Sequence, residues 1–173
     1  MPYSNRLMPG KPFPAITLPT TGGSEINLNA SGWRAVFVIR GAHCSICREY
    51  LNQIEKRRSG WEDKGIEVVV VSADPPEKSQ IFTQEAGYQG IVACSLDVPA
   101  MQALNLWMTG PDVSTLDYVH PEPGFFFIDP EGNIATVDIS NLPAIRPDLD
   151  WMDKGFTYMT KNGIRPTFGS YEV

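Results

Sequence analysis

Short apolar runs rich in β-branched and aromatic residues recur along the chain and alternate with segments of helical periodicity. Two of them, RAVFVIR at 34–40 and GIEVVVVSA at 65–73, are continuous and predict strands buried on both faces of a sheet. Further strands are predicted at 91–96 and 124–129. Two short strands around a Thr-Gly-Gly turn at 13–28 predict an N-terminal β-hairpin.

Helical spacing separates these strands. From Ser45 to about Arg58, the side chains of Cys47, Leu51 and Ile54 fall on one face, and the basic run at 56–58 is expected to close the helix. Later helices are predicted over 74–86, 97–106 and 148–161. The apolar anchors expected on the first and last of these are Ile81 and Phe82, and then Leu149, Met152, Phe156 and Met159.

A second hairpin is predicted in the C-terminal half. The sequence DPEG at 129–132 suits a type I turn, so the strands at 124–129 and 133–139 should pair. Strands alternating with helices, then a hairpin and a final helix, indicate a three-layer α/β fold. We expect one domain over residues 1–173, in which residues 163–173 form a tail with no clear structural signal.

Composition and charge narrow the classes of function. The net charge of −6 argues against binding to nucleic acid, which requires a basic face. No segment has the length of a membrane span or the pattern of a secretory signal, so a cytoplasmic protein without a membrane partner is predicted. Three cysteines are too few for a disulfide framework, so a close pair is expected to be catalytic, sensing or metal-binding.

Two of the cysteines lie in the segment RGAHCSICREY, where a buried strand ends and a helix begins. At helical spacing Cys44 and Cys47 face the same way, with Cα atoms about 5–6 Å apart, a distance that permits a disulfide. The helix N-terminus stabilises a thiolate, which is the nucleophile of disulfide exchange. We expect Cys44 to be the exposed, attacking thiol and Cys47 the inner, resolving thiol. A protonated His43, together with Arg40 and Arg48, would favour the thiolate further.

Metal binding and simple burial are the alternatives for this pair. A structural zinc site needs four ligands, whereas the chain offers one CxxC, two histidines and the lone Cys94. Cys94 lies inside a predicted strand and is expected to be a small core residue. Two unpaired core cysteines would also fit the count, but this reading does not explain why they open a helix after a buried strand.

Four segments in order, RAVFVIRGAHCSIC, GIEVVVVSADPPEKSQIFTQEAG, ACSLDVPAMQALNL and EPGFFFIDPEGNI, resemble the AhpC/TSA redoxins, the peroxiredoxin-like branch of the thioredoxin-fold superfamily. The resemblance covers roughly residues 8–140. It implies a thioredoxin-like fold with a central mixed sheet flanked by helices and the CxxC at its edge. It also implies that Pro123 is cis and lies against the CxxC, as in thioredoxin-like members. His120 should then lie near the same surface.

The resemblance includes departures from true peroxiredoxins, which carry a P-x-x-x-T-x-x-C pattern and a distant arginine. Aligned on Cys47, this chain has Arg40 in the proline position and Cys44 in the threonine position, and Pro123 stands where the arginine would be. Because the residues that activate peroxide in peroxiredoxins are incomplete here, the chain favours dithiol–disulfide exchange over peroxidase activity. Arg40 is the candidate substitute for the missing residues. In a peroxidase, Cys47 would be the peroxidatic thiol and Cys44 its resolver.

The resemblance thus predicts a thiol–disulfide oxidoreductase in which Cys44, Cys47 and Pro123 are catalytic and Arg40, His43 and His120 are supporting. The alternatives are a thiol-dependent peroxidase and a Cu(I)-binding or redox-sensing module, since two thiolates and the imidazole of His120 suit Cu(I). No resident cofactor or metal is expected. The partners implied are a disulfide or hydroperoxide substrate and an external thiol reductant such as a thioredoxin or glutathione system.

Overall fold

The computed structural model describes residues 6–29, 31–162 and 169. Its elements, in chain order, are β1 (Thr17–Pro19), β2 (Glu25–Asn27), β3 (Trp33–Val38), α1 (Ser45–Glu62), β4 (Ile66–Val71), α2 (Pro76–Glu85), β5 (Ile91–Ala93), α3 (Val98–Ala103), β6 (Met108–Thr109), β7 (His120–Pro121), β8 (Gly124–Ile128), β9 (Ile134–Ile139) and α4 (Leu149–Asn162).

A five-stranded mixed sheet forms the centre, with strand order β5-β4-β3-β8-β9. β3, β4 and β5 run parallel, while β8 pairs antiparallel with both β3 and β9. Side chains of β3 alternate between two cores: Ala35 and Phe37 face one, and Val36 and Val38 face the other. This alternation explains the continuous apolar run, because both faces of the strand are covered. The predicted mixed α/β architecture is confirmed.

Different elements cover the two faces of the sheet. The face that carries Phe37 packs against α1, α2 and α4, whereas the opposite face packs against α3 and the segment of the N-terminal hairpin. The predicted hairpin pairs β1 with β2 antiparallel, in the register Thr17↔Asn27. The 129–132 turn also forms as predicted: the Gly132 N–H donates to the Asp129 carbonyl over 2.9 Å, and the following strand pairs with β8.

Helix α1 extends beyond its predicted end. It continues through the basic run and Gly60 to Glu62, because Trp61 is fully buried, stacks on Phe37 and packs edge to face against Phe156. Arg58 therefore lies inside the helix, where it pairs with Glu55 and Glu62 instead of with the helix terminus. The burial of one large aromatic ring outweighs the local stop signal of Ser59-Gly60.

Two further details differ from the prediction. Ile81 is 61% exposed, so only Phe82 anchors α2 in the core. The short strands β6 and β7, which no pattern predicted, pair in the register Thr109↔His120. They close the loop between them and bring His120 beside the end of β3.

None of the helices in the described ranges is long and apolar enough to cross a membrane. The predicted tail at 163–173 lies outside the described residues apart from Gly169.

Candidate active site

The two thiols lie at the junction between β3 and α1. Cys44 is the N-cap residue of α1, with extended backbone dihedrals (φ −100°, ψ 105°), and its Sγ accepts a hydrogen bond from the Cys47 N–H over 3.3 Å. Cys47 begins the buried face of the helix that continues through Leu51 and Ile54, as predicted. All three cysteines of the chain are free thiols. One of the first N–H groups of the helix, that of Cys47, thus points at the sulfur of Cys44.

The expectation that Cys44 is exposed is wrong. Cys44 is 4% exposed and Cys47 is 0% exposed, so both thiols are buried. The reason is the cap itself: to accept the Cys47 N–H, the Sγ of Cys44 must turn inward over the first turn of α1. Cys44 remains the outer thiol of the two by a small margin.

The two thiols differ strongly in acidity. A hydrogen bond from the Cys47 thiol lowers the pKa of Cys44 to about 5; burial opposes the shift, while the Cys47 N–H, Arg40 and Arg146 add to it. The same hydrogen bond, together with burial, raises the pKa of Cys47, against the influence of Arg146. The pair therefore holds one proton on Cys47 and presents Cys44 as the thiolate.

Arg40 connects Cys44 to two buried polar residues. Its Nε lies 3.0 Å from a carboxylate oxygen of Glu122, and its Nη2 lies 3.3 Å from the Nε2 of His120. Burial lowers the pKa of Arg40, but hydrogen bonds to Cys44 and Glu122 outweigh this and raise it. Glu122 is itself held by the Thr109 hydroxyl over 2.6 Å. Sequence reasoning named Arg40 as a supporting residue but missed Glu122, whose only signal is its position two residues after His120.

Arg146 is the second residue that sequence reasoning missed. It lies in the connection between β9 and α4, and its Nη2 donates to the Sγ of Cys47 over 3.0 Å. Its Nε donates to the Pro143 carbonyl over 2.8 Å, which fixes the guanidinium within its own loop. Nothing in the spacing of an arginine within a polar loop marks it as a partner of a thiol far away in the chain.

The histidines lie beside the dithiol, but neither supplies a positive charge. The rings of His43 and His120 meet edge to face, with centroids 4.5 Å apart. Burial, His120 and Arg40 lower the pKa of His43 to about 4, so His43 is neutral near pH 7 and the protonation that would favour the Cys44 thiolate is absent there. His120 is 0% exposed, and burial and Arg40 lower its pKa as well. His120 thus lies below the surface as a neutral acceptor for Arg40.

A buried carboxylate supports the loop that leads into Cys44. Asp74, at the end of β4, accepts the Ala42 N–H over 2.7 Å and the Tyr118 hydroxyl over 2.6 Å, and it pairs with Lys78 at 2.8 Å. Burial would raise the pKa of Asp74, but hydrogen bonds from Lys78, Tyr118 and the Ala42 N–H outweigh it and lower the pKa. The loop before the thiols is therefore tied to the parallel part of the sheet.

The sequence model of the AhpC/TSA family matches residues 9–137, which is well over half of the chain. The chain belongs to the AhpC/TSA family. "Putative peroxiredoxin Rv2521" of Mycobacterium tuberculosis (strain ATCC 25618 / H37Rv) is 29% identical over 109 residues, 62% of this chain and 68% of that protein. Membership confirms the predicted class, a thiol-dependent redox enzyme of the peroxiredoxin-like type.

Solved structures show the same fold for this AhpC/TSA chain. The C45S mutant of Peroxiredoxin 6 of Arenicola marina superposes with a TM-score of 0.74 at 13% identity, covering 91% of this chain and 76% of that one. A peroxiredoxin-like protein from Aquifex aeolicus gives a TM-score of 0.73 at 19% identity, covering 87% and 86%. The predicted thioredoxin-like fold is confirmed.

Pro123 of this AhpC/TSA chain is not cis, contrary to the expectation from thioredoxin-like relatives. The described residues contain no cis peptide bond. The backbone runs extended from β7 into β8: the Glu122 N–H donates to the Trp107 carbonyl over 2.8 Å, and the Pro123 carbonyl accepts the Ser140 N–H over 3.0 Å. Both hydrogen bonds form with the peptide bond before Pro123 in the trans state. Pro123 is buried and lines a small apolar pocket with Tyr50 and Arg146.

The remaining predicted residues lie away from the thiolate. Arg48 places its guanidinium 5.5 Å from the Phe82 ring centroid and pairs with Glu85 at 2.9 Å, so it does not add charge at Cys44.

Cys94 is fully buried in the core, as predicted, and donates to the Val92 carbonyl. Among the described residues, no group of three or more His, Cys, Asp or Glu side chains is arranged to hold a metal ion. The zinc and Cu(I) alternatives therefore find no ligand set in this geometry.

Proposed function

We propose that this AhpC/TSA protein is a thiol–disulfide oxidoreductase that cycles Cys44 and Cys47 between dithiol and disulfide. The observation that carries the proposal is the position of the Cys44 Sγ, which caps α1 and accepts the Cys47 N–H over 3.3 Å. A thiolate is the nucleophile of disulfide exchange, and the pKa of Cys44, lowered to about 5, keeps it ionised at neutral pH.

The reaction then proceeds in two displacements. The Cys44 thiolate attacks one sulfur of a substrate disulfide, forms a mixed disulfide and releases the other substrate sulfur as a thiolate. Cys47 loses its proton, attacks the Sγ of Cys44 and releases the second substrate thiolate, which leaves the Cys44–Cys47 disulfide. An external thiol reductant, such as a thioredoxin or glutathione system, returns the two electrons. We place this cycle in the reducing cytoplasm, where such reductants are present.

The test is the reduction of insulin disulfides by the reduced protein. Cys44→Ser should abolish the activity. Cys47→Ser should also stop turnover, but it should accumulate a mixed disulfide between Cys44 and the substrate that mass spectrometry detects. Cys94→Ser is the matched control and should retain the wild-type rate. Unchanged activity in Cys44→Ser would rule out the proposed mechanism.

A specific contact favours thiol peroxidase as the second candidate. The guanidinium of Arg146 lies 3.0 Å from the Sγ of Cys47, the cysteine that aligns with the peroxidatic position of the family pattern. In this reaction the Cys47 thiolate attacks a peroxide oxygen, becomes a sulfenic acid and releases an alcohol or water. Cys44 then attacks the Cys47 sulfur, releases water and forms the disulfide. Arg146 would stabilise both the thiolate and the developing charge on the peroxide.

The two candidates differ in which single-cysteine variant reacts with peroxide. If the protein is a peroxidase of this kind, Cys44→Ser consumes one equivalent of hydrogen peroxide rapidly and forms a trappable sulfenic acid at Cys47, whereas Cys47→Ser reacts slowly. If disulfide exchange through Cys44 is the function, Cys44→Ser is slow with both hydrogen peroxide and insulin. Stopped-flow fluorescence and mass spectrometry of the trapped sulfenic acid distinguish the two results.

A further inference from the structure

Tyr50 contacts the arginine that pairs with Cys47 in two ways. It lies on α1, three residues after Cys47, and its hydroxyl donates to the Pro147 carbonyl over 2.9 Å. The guanidinium carbon of Arg146 lies 5.0 Å from the centroid of the Tyr50 ring, within the range of a cation–π contact. One side chain therefore holds both the Arg146 guanidinium and the backbone of the residue that follows it.

The guanidinium of Arg146 is fixed from three directions. Its Nη2 points at the Cys47 Sγ, its Nε points at the Pro143 carbonyl and its face lies over the ring of Tyr50. The first two contacts orient the fork through a single small thiol and a carbonyl of the same loop. The ring is the contact that relates the loop to α1, because Tyr50 and Cys47 stand on neighbouring turns of one helix.

Tyr50 is itself well placed for this role. Its ring packs edge to face against Phe37 of β3, with centroids 6.3 Å apart. Burial raises the pKa of Tyr50, so the hydroxyl stays protonated and remains a donor to Pro147 at every pH at which the enzyme would work. The ring is thus held by the sheet, and the hydroxyl holds the loop.

We propose that Tyr50 is a positioning residue, which fixes Arg146 against Cys47 and thereby controls the reactivity of the thiol pair. The proposal deepens the proposed function and rests on it for its biological meaning. Arg146 lowers the pKa of both thiols. Loss of the ring lets the guanidinium move away, and a cationic hydrogen-bond donor then leaves the sulfur.

The experiment measures the acidity of Cys47 directly, so that it does not depend on turnover. In a Cys44→Ser/Cys94→Ser background, the rate of alkylation by iodoacetamide is recorded against pH. Arg146→Met should raise the midpoint by about 1–3 pH units. Tyr50→Leu should raise it by about one unit, which is roughly tenfold slower alkylation at a fixed pH below the midpoint. Tyr50→Phe, which keeps the ring, should shift the midpoint less than Tyr50→Leu.

A double variant separates positioning from a general effect on the fold. Tyr50→Leu combined with Arg146→Met should give the midpoint of Arg146→Met alone, because the ring acts only through the guanidinium. Shifts that add would overturn the proposal, as would an unchanged midpoint in Tyr50→Leu. The double variant has no guanidinium at position 146. Any shift of the midpoint beyond that of Arg146→Met must therefore come from elsewhere in the fold.

Tyr88 provides the matched control. It is buried, and its hydroxyl has no hydrogen-bond partner among the residues that the structure describes. Tyr88→Phe and Tyr88→Leu should change the free energy of unfolding without moving the midpoint of Cys47. If Tyr50→Leu does not fold, Tyr50→Met, which also removes the ring, is compared with Tyr88→Met: a shift at position 50 alone supports the proposal, and no shift at either position overturns it. If Tyr50→Leu shifts the Cys47 midpoint but the protein with all three cysteines does not reduce insulin, the proposed function fails while the positioning role of Tyr50 stands.

Discussion

The Nη2 of Arg146 donates to the Sγ of Cys47 over 3.0 Å, although 99 residues separate the two in the chain. A second guanidinium, that of Arg40, helps to lower the pKa of Cys44 and is held by Glu122. Each thiol of the CxxC therefore has its own arginine, supplied by a different segment. Because an arginine stays protonated at all working pH values, this arrangement provides positive charge at the site without relying on a histidine.

Removal of Arg40 should reduce the acidity of Cys44. We expect Arg40→Met to raise the midpoint of Cys44 alkylation from near pH 5 by about 1–3 units, since a cationic donor to the thiolate is lost. Rates at Cys44 are read by mass spectrometry of the alkylated peptide. Arg48→Met is the matched control, because Arg48 lies against Phe82 and Glu85 and should leave the midpoint unchanged. Equal effects of the two substitutions would contradict the assignment of Arg40.

The acidity of Cys44 should also appear in the pH dependence of stability. Its pKa is about 5 in the folded protein against a reference value of 9.0, so between these values the unfolded chain holds a proton that the folded protein has lost. The free energy of unfolding of reduced wild type minus that of Cys44→Ser should therefore rise with pH, by at most about 1.4 kcal/mol per pH unit. This stabilisation is complete above about pH 9 and is lost as the pH falls through about 5.

Urea unfolding in a phosphine reductant at several pH values from 6 to 8.5, which spans about two and a half units of that window, measures this difference. His43 is present in both proteins, so its contribution to the pH dependence of stability cancels in the difference. A difference that is flat, or that falls as the pH rises, would show that Cys44 is not the acidic thiol of the pair.

His43 should matter little near neutral pH. Its pKa is lowered to about 4, so it is neutral when the Cys44 thiolate reacts. We expect His43→Gln, which keeps a neutral polar side chain, to change the rate of Cys44 alkylation at pH 7 by less than about twofold. A tenfold fall in that rate, comparable to Arg40→Met, would mean that His43 carries charge in the working enzyme.

The loop before Cys44 should not tolerate a side chain at Gly41. This residue has φ +122°, and a Cβ would lie 2.5 Å from the Asp74 Oδ2 that accepts the Ala42 N–H. We expect Gly41→Ala to lower the free energy of unfolding by about 1–3 kcal/mol and to slow Cys44 alkylation. The control is Gly60→Ala in α1, where no atom would meet the Cβ, and which should stabilise by about 0.5–1 kcal/mol. Equal stability changes in the two variants would contradict the role of the Asp74 contact.

Local patterns predicted most of the elements, and errors occurred where long-range packing decided the outcome. The α1 pattern of Cys47, Leu51 and Ile54 identified the buried face correctly, because helical periodicity is a property of neighbouring residues. The end of the same helix was predicted four residues early, because burial of Trp61 against Phe156 of a distant helix extends it. The resemblance predicts a cis bond before Pro123, whereas in this chain the bond is trans and hydrogen bonds to Trp107 and Ser140 hold the backbone on either side of it.

The position of the CxxC at a strand–helix junction follows from the sequence, since both the buried strand and the capped helix are local signals. The partners of the two thiols do not follow from it. Glu122 reaches Arg40 through the pairing of β6 with β7, and Arg146 reaches Cys47 through a loop that Tyr50 holds in place. The charge state of His43 likewise depends on burial beside His120 and Arg40. Local spacing therefore placed the two thiols, while their acidity, burial and cationic partners were decided by tertiary contacts, because each of these depends on groups that the chain brings together only when it folds.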